Sequence, residues 1–149
     1  MNRFVSLGTF LIVTWALSVA LVAQKTFTVE DLDKLMKKDG PAQQALARAL
    51  STGNQAVAKA QLATLKTGLA QSQEFWIANK RPDAIQFGKA VVAKLDELDK
   101  IVSAPELDTD KALAATRDLA ASCNACHKVY RAADENGQFI LKPGSIPGL

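Results

Sequence analysis

Between residues 54 and 79 small and apolar side chains recur at alternating steps of four and three: Ala58, Leu62, Leu65, Leu69, Ser72 and Trp76, with Phe75 beside the row. An α-helix turns once every ~3.6 residues, so this spacing draws a single stripe down one side of one helix. A stripe of this kind needs covering by other helices, because an isolated helix would leave its leucines in water.

Three further stretches supply the cover. Short breakers, among them Lys80-Arg81-Pro82 and Ala104-Pro105, leave four helical segments between Thr28 and Asp134. The first, Thr28 to about Ser51, opens with Thr28, Glu30 and Asp31, a capping pattern that sets negative charge at the positive helix end. Its inward stripe reads Val29, Leu32, Met36, Leu46 and Leu50. Asp39-Gly40-Pro41 interrupts that segment. Proline lacks an amide hydrogen and crowds the turn before it, so a kink is predicted there, or two short helices with Pro41 opening the second. The third segment, Asp83 to about Ser103, aligns Ile85, Val92, Leu95, Leu98 and Val102. The fourth, about Thr109 to Asp134, aligns Leu113, Thr116, Ala120, Cys123, His127 and Tyr130, with Asn136-Gly137 as its stop signal.

Four such helices joined by short connections pack most economically as an all-α, antiparallel up-down-up-down bundle. The expected domain covers residues 24–149, with an irregular tail from about 137 laid as an extended strap over the bundle. In this topology the early part of helix one, the end of helix two, the start of helix three and the end of helix four share one pole. Met36, Phe75, Trp76, Ile85, Phe87 and His127 would gather there. At 1.5 Å of rise per residue, Met36 and His127 would each lie about 10 Å from the pole and face one another.

Composition agrees with this class. The 149 residues are 48% hydrophobic and 22% charged, enough for one core, and only 6% aromatic, with few of the runs that build strands. The first 23 residues stand apart: after Arg3, Phe4 to Ala23 contains no charge. Ser18 and Ala20 form a cleavage pattern, so a removed signal peptide is expected. Twenty apolar residues also match a ~30 Å hydrocarbon layer, which keeps an uncleaved amino-terminal membrane anchor as the alternative. Either way the body belongs outside the cytoplasm, in a periplasm-type compartment. The formal charge of +3 is spread among interleaved acids and bases, which excludes a nucleic-acid footprint.

The chemistry concentrates in CNACHKVYR, residues 123–131, which holds the chain's two cysteines and its one histidine. Two cysteines three positions apart, followed at once by histidine, form the attachment pattern of c-type haem: both thiols bond the porphyrin and the histidine becomes an axial iron ligand. On a helix, Cys123, Cys126 and His127 lie within reach of one ring. Structural zinc needs four ligands, usually from two knuckles, and no second knuckle exists. A redox dithiol usually sits in a βαβ context that this chain lacks, and a disulfide between i and i+3 in a helix would close a strained loop. A haem-free zinc or dithiol protein remains the alternative from another class.

An exported four-helix chain with CNACH, Tyr130 and Arg131 near its carboxyl end resembles the class II c-type cytochromes: cytochrome c′ and its low-spin, methionine-ligated relatives. The likeness runs from about Thr28 to Arg131. It implies one covalent haem c inside the bundle near one pole, His127 as the proximal iron ligand and Arg131 beside it. Phe75, Trp76 and Tyr130 would wall the pocket.

The second axial position decides the function. With Met1 removed, Met36 is the one thioether left and, in the place where the methionine-ligated relatives carry theirs, is the expected second ligand. A His/Met-ligated iron makes an electron-transfer carrier. Without Met36 the iron is five-coordinate and open to NO or CO, as in cytochrome c′. No spare histidine, nucleophile beside a base, or phosphate loop points to an enzyme. Lys37, Lys38, Lys80, Arg81, Lys128 and Arg131 could ring the pole and attract an acidic redox partner. Pairing of bundles into homodimers is left open by the sequence.

Overall fold

The computed structural model describes residues 27–148 and consists of four helices and a short carboxyl-terminal hairpin: α1 (Val29–Ser51), α2 (Gln55–Ala78), α3 (Pro82–Val102), α4 (Thr109–Tyr130), β1 (Arg131–Ala133) and β2 (Phe139–Leu141). The expected signal peptide or anchor lies outside the described residues. Among them, no helix is long and apolar enough to cross a membrane.

Each helix starts where the sequence provides a cap. Thr28 Oγ1 accepts from the Asp31 amide at 3.1 Å while Asp31 Oδ2 accepts from the Thr28 amide at 3.0 Å, so two of the unpaired donors at the start of α1 are satisfied reciprocally. Asn54 and Asp108 cap α2 and α4 through the amides of Val57 and Lys111. Pro82 opens α3, where its missing amide hydrogen costs no helical bond.

Two boundaries expected of the helices are corrected. Of the outcomes expected at Asp39-Gly40-Pro41, two short helices do not form: α1 runs through Pro41 as one helix. The reason is the stripe around it: Leu32, Leu35, Asp39, Ala42, Leu46, Ala49 and Leu50 are buried on both sides of the proline, and tertiary packing outweighs the local penalty. Pro41 itself faces solvent, where water can satisfy the carbonyl left without a partner. Likewise α4 stops at Tyr130, four residues short of Asp134. Arg131 is already extended (φ −108°, ψ 138°), and Arg131–Ala133 pairs antiparallel with Phe139–Leu141. Asn136-Gly137 is therefore a hairpin turn, with Gly137 at φ 74° and Asp134 Oδ1 accepting from the amides of Asn136 and Gln138 at 2.9 and 2.7 Å.

The helices pack α1 on α2, α2 on α3, α3 on α4 and α4 on α1, an all-α four-helix bundle in which sequence neighbours are space neighbours. Its interior falls into two apolar clusters. The larger joins the carboxyl half of α1, the amino half of α2, the carboxyl half of α3 and the amino half of α4, with Leu46, Leu50, Leu62, Leu95, Leu98, Val102 and Leu119 almost wholly buried. Each such side chain contributes on the order of 1.5–3 kcal/mol relative to exposure. The second, at the opposite pole, contains Leu32, Phe75, Trp76, Ala84, Tyr130 and Ile146, flanked by Met36, Ile85, Phe87 and Cys126. It holds the elements that an up-down-up-down path brings together.

The tail is less irregular than expected. It forms β2, turns, and inserts Ile146, 3% exposed, into the second cluster. Arg81 donates to the Ser145 carbonyl and ties this strap to the α2–α3 corner.

Candidate functional site

The three residues of CNACH that carry chemistry sit on the last two turns of α4, where the two clusters meet. Cys123 packs against the larger cluster and Cys126 against the second, both half-buried and both free thiols. Burial raises the pKa of both, that of Cys126 to about 11, with a smaller push from Asp39 on Cys123 and from Cys123 and Asp83 on Cys126. At neutral pH both remain protonated thiols.

His127, one residue further round the helix, is half-buried and opens onto a cavity of about 590 Å³ formed by α4 and the hairpin. Asn124, Lys128, Arg131, Ala132 and Phe139 share its lining. Burial, then the neighbouring positive charge of Arg131, depresses the His127 pKa, so the imidazole is neutral at physiological pH and keeps a lone pair for a metal. Arg131 itself is exposed and lies over the Phe139 ring, 4.0 Å from its centroid.

Phe75, Trp76 and Tyr130, assigned to the pocket wall from sequence, form one aromatic group. Phe75 meets Trp76 edge-on at 5.0 Å and Trp76 meets Tyr130 at 4.6 Å. The Tyr130 hydroxyl is engaged by Asp83 and its pKa is pushed up to about 12, first by burial and then by that hydrogen bond. Met36 is half-buried in the same cluster, as is Cys126, and does not line the cavity onto which His127 opens. Met36 and His127 are thus brought to one end of the bundle, in different surroundings.

The suggested basic ring is uneven. Lys37 pairs with Asp33 at 2.7 Å and Arg81 with Asp83 at 3.0 Å, whereas Lys128 and Arg131 lie at the cavity. Among the described residues no three His, Cys, Asp or Glu side chains converge as a metal-holding group.

One polar residue at the site escaped sequence reasoning. Asp39 is only 6% exposed, both carboxylate oxygens lack hydrogen-bond partners, and it faces Gly68 of α2. Its place on the α1 stripe, at i+3 from Met36 and i+7 from Leu32, was available from spacing alone. The break read at Gly40-Pro41 hid it.

No protein-family model, no curated protein and no solved structure matches the chain. The chemistry of the site rests on its own residues.

Proposed function

We propose that this chain is an exported, covalent haem c protein that carries electrons, resembling the class II c-type cytochromes, in which Cys123 and Cys126 would hold the porphyrin and His127 and Met36 would hold its iron. The observation that carries the reading is the placement of both thiols and a neutral imidazole within two turns of α4, the thiols against the interior clusters and His127 on an open groove between α4 and the hairpin.

The residues present fit such a group. Thioether attachment adds sulfur and hydrogen of each cysteine across a vinyl double bond, and the elevated thiol pKa values speak against a redox dithiol, which relies on surroundings that stabilise a thiolate. Structural zinc calls for four ligands, more than the site offers. When bound, haem supplies a ferric/ferrous couple. Phe75, Trp76 and Tyr130 exclude water from the pole, Arg131 keeps positive charge beside His127, and the His127 imidazole offers its lone pair. Met36, in the cluster that Cys126 enters, is the one methionine of the described chain able to close the remaining position.

A second reading, a five-coordinate protein binding NO or CO, draws on a specific feature: Met36 does not line the cavity that His127 does. The protein produced with a haem-attachment system should gain the mass of one haem and show a Soret band. A sharp low-spin ferrous α band supports the electron carrier. A high-spin ferrous spectrum selects the gas-binding reading, and absence of covalent haem removes both.

A further inference from the structure

Among the described residues five large apolar side chains stand out into solvent, and four of them belong to one end of the bundle. Ile77 and Val129 are the last but one residues of α2 and α4, and Phe139 and Ile140 begin β2. The fifth, Val57, lies in the first turn of α2 at the opposite pole. Phe139 is 58% exposed, with the Arg131 guanidinium over its ring.

Positive charge gathers at the same end. Lys80 at the α2–α3 corner, Lys128 near the end of α4 and Lys142 after β2 are exposed, and none has an ion-pair partner among the described residues. Asp83 and Asp134 are taken up by Arg81 and by the amides of the hairpin turn, which leaves Glu135 as the opposing charge of the hairpin. Cations on long stems around projecting apolar side chains suit the boundary between acyl chains and headgroups, where the apolar parts enter and the charges meet anionic phosphates.

The chain also enters α1 here. Phe27 and Val29 pack on the second cluster with Leu141, and β2 lies against α1. Residues 4–23 carry no charge, and the three residues between them and Phe27 reach about 10 Å even when fully extended. With that uncharged segment held in a bilayer, this pole has no room to stand clear of the headgroups.

We infer that this pole is a membrane-docking face: with residues 4–23 retained as an anchor, Phe139 and Ile140 enter the interface of an anionic phospholipid bilayer while Lys80, Lys128 and Lys142 contact its headgroups. The assignment is independent of haem. It turns the hairpin end of the bundle toward lipid and the pole that carries Val57 toward water.

The test uses the full chain, isolated from producing cells and placed in nanodiscs of phosphatidylglycerol or of phosphatidylcholine. Hydroxyl-radical footprinting should oxidise Phe139 and Ile140 more slowly on the anionic lipid, by about fivefold or more, with Val57 equally reactive on both. Lys80→Glu combined with Lys142→Glu should remove most of that difference, and intact mass should show the amino-terminal segment in place. Equal Phe139 reactivity on the two lipids overturns the docking face, as does protection that arises only when an acidic protein is added, which would give the face to a redox partner. A chain isolated without residues 1–20 or 1–23 overturns it as well, and leaves the haem reading untouched.

Discussion

Tyr130, the last residue of α4, donates its phenolic hydrogen to Asp83 Oδ2 in the first turn of α3 at 2.5 Å. The same carboxylate receives Arg81 Nε and Nη2 at 3.2 and 3.0 Å, and the guanidinium lies 5.0 Å from the centre of the Tyr130 ring. Arg81 also reaches the Ser145 carbonyl, so α3, α4 and the carboxyl-terminal strap are joined through one charged group.

Tyr130→Phe removes the hydroxyl and keeps the ring against Trp76. A hydrogen bond to a partly solvated carboxylate contributes about 1 kcal/mol, and the variant should lose that much in denaturant unfolding at an unchanged m value. An unaltered midpoint would show that the bond adds nothing to stability.

Arg81 first, and Tyr130 second, hold the Asp83 carboxyl well below the usual carboxylate range. A depressed folded-state pKa stabilises the fold above the unfolded value of about 4, and the contribution is lost as pH falls through the folded value. Asp83→Asn should therefore be less stable than the parent at pH 7, with the gap narrowing as both are titrated toward pH 2. A gap independent of pH would assign the loss to packing.

Ile146 is the strap's buried anchor, at 3% exposure among Trp76, Tyr130 and Leu32. Ile146→Ala should cost about 2–3 kcal/mol and expose the strap to proteolysis after Leu141. Retained protease resistance would place the holding force in the hairpin instead.

Two glycines of the bundle should respond oppositely to alanine. A Cβ at Gly40 in α1 meets nothing within 4 Å, so Gly40→Ala should stabilise by about 0.5–1 kcal/mol through helix propensity and a less flexible unfolded chain. At Gly68 the same methyl would strike Asp39, and Gly68→Ala should destabilise by about 1–3 kcal/mol. Thermal unfolding of the pair decides it. Similar effects at both sites would mean that the α1–α2 contact yields easily.

Met36→Ala separates the two haem readings. In a His/Met-ligated carrier it should open the iron and convert a CO-inert ferrous spectrum into a CO-binding one. If CO binding is the same before and after the change, Met36 is not a ligand and serves as apolar filling of the cluster.

Much of the bundle was legible because helical stripes and caps are local. Leu62, Leu65 and Trp76 declare their shared face by spacing, and Thr28 with Asp31 declares the start of α1. Asn136-Gly137 was ambiguous, since the same pair ends a helix or turns a hairpin. The choice is made by contacts remote along the chain: the Lys142 amide on the Tyr130 carbonyl at 2.7 Å, and Arg131 over Phe139. Ile146 gave no signal because one apolar residue among prolines and glycines has no period.

What the sequence determined by itself is the constellation on α4. Positions 123, 126 and 127 share neighbouring helical faces whatever surrounds them, since i, i+3 and i+4 are fixed by the helix repeat. Only the tertiary structure decided what each of them meets. It packs Cys126 beside Met36 in an apolar cluster, turns His127 toward an open groove that the hairpin lines on one side, and carries α1 unbroken past Pro41 so that Asp39 is buried against Gly68. Those outcomes follow from side chains tens of residues apart competing for the same interior volume, a competition that no local pattern records.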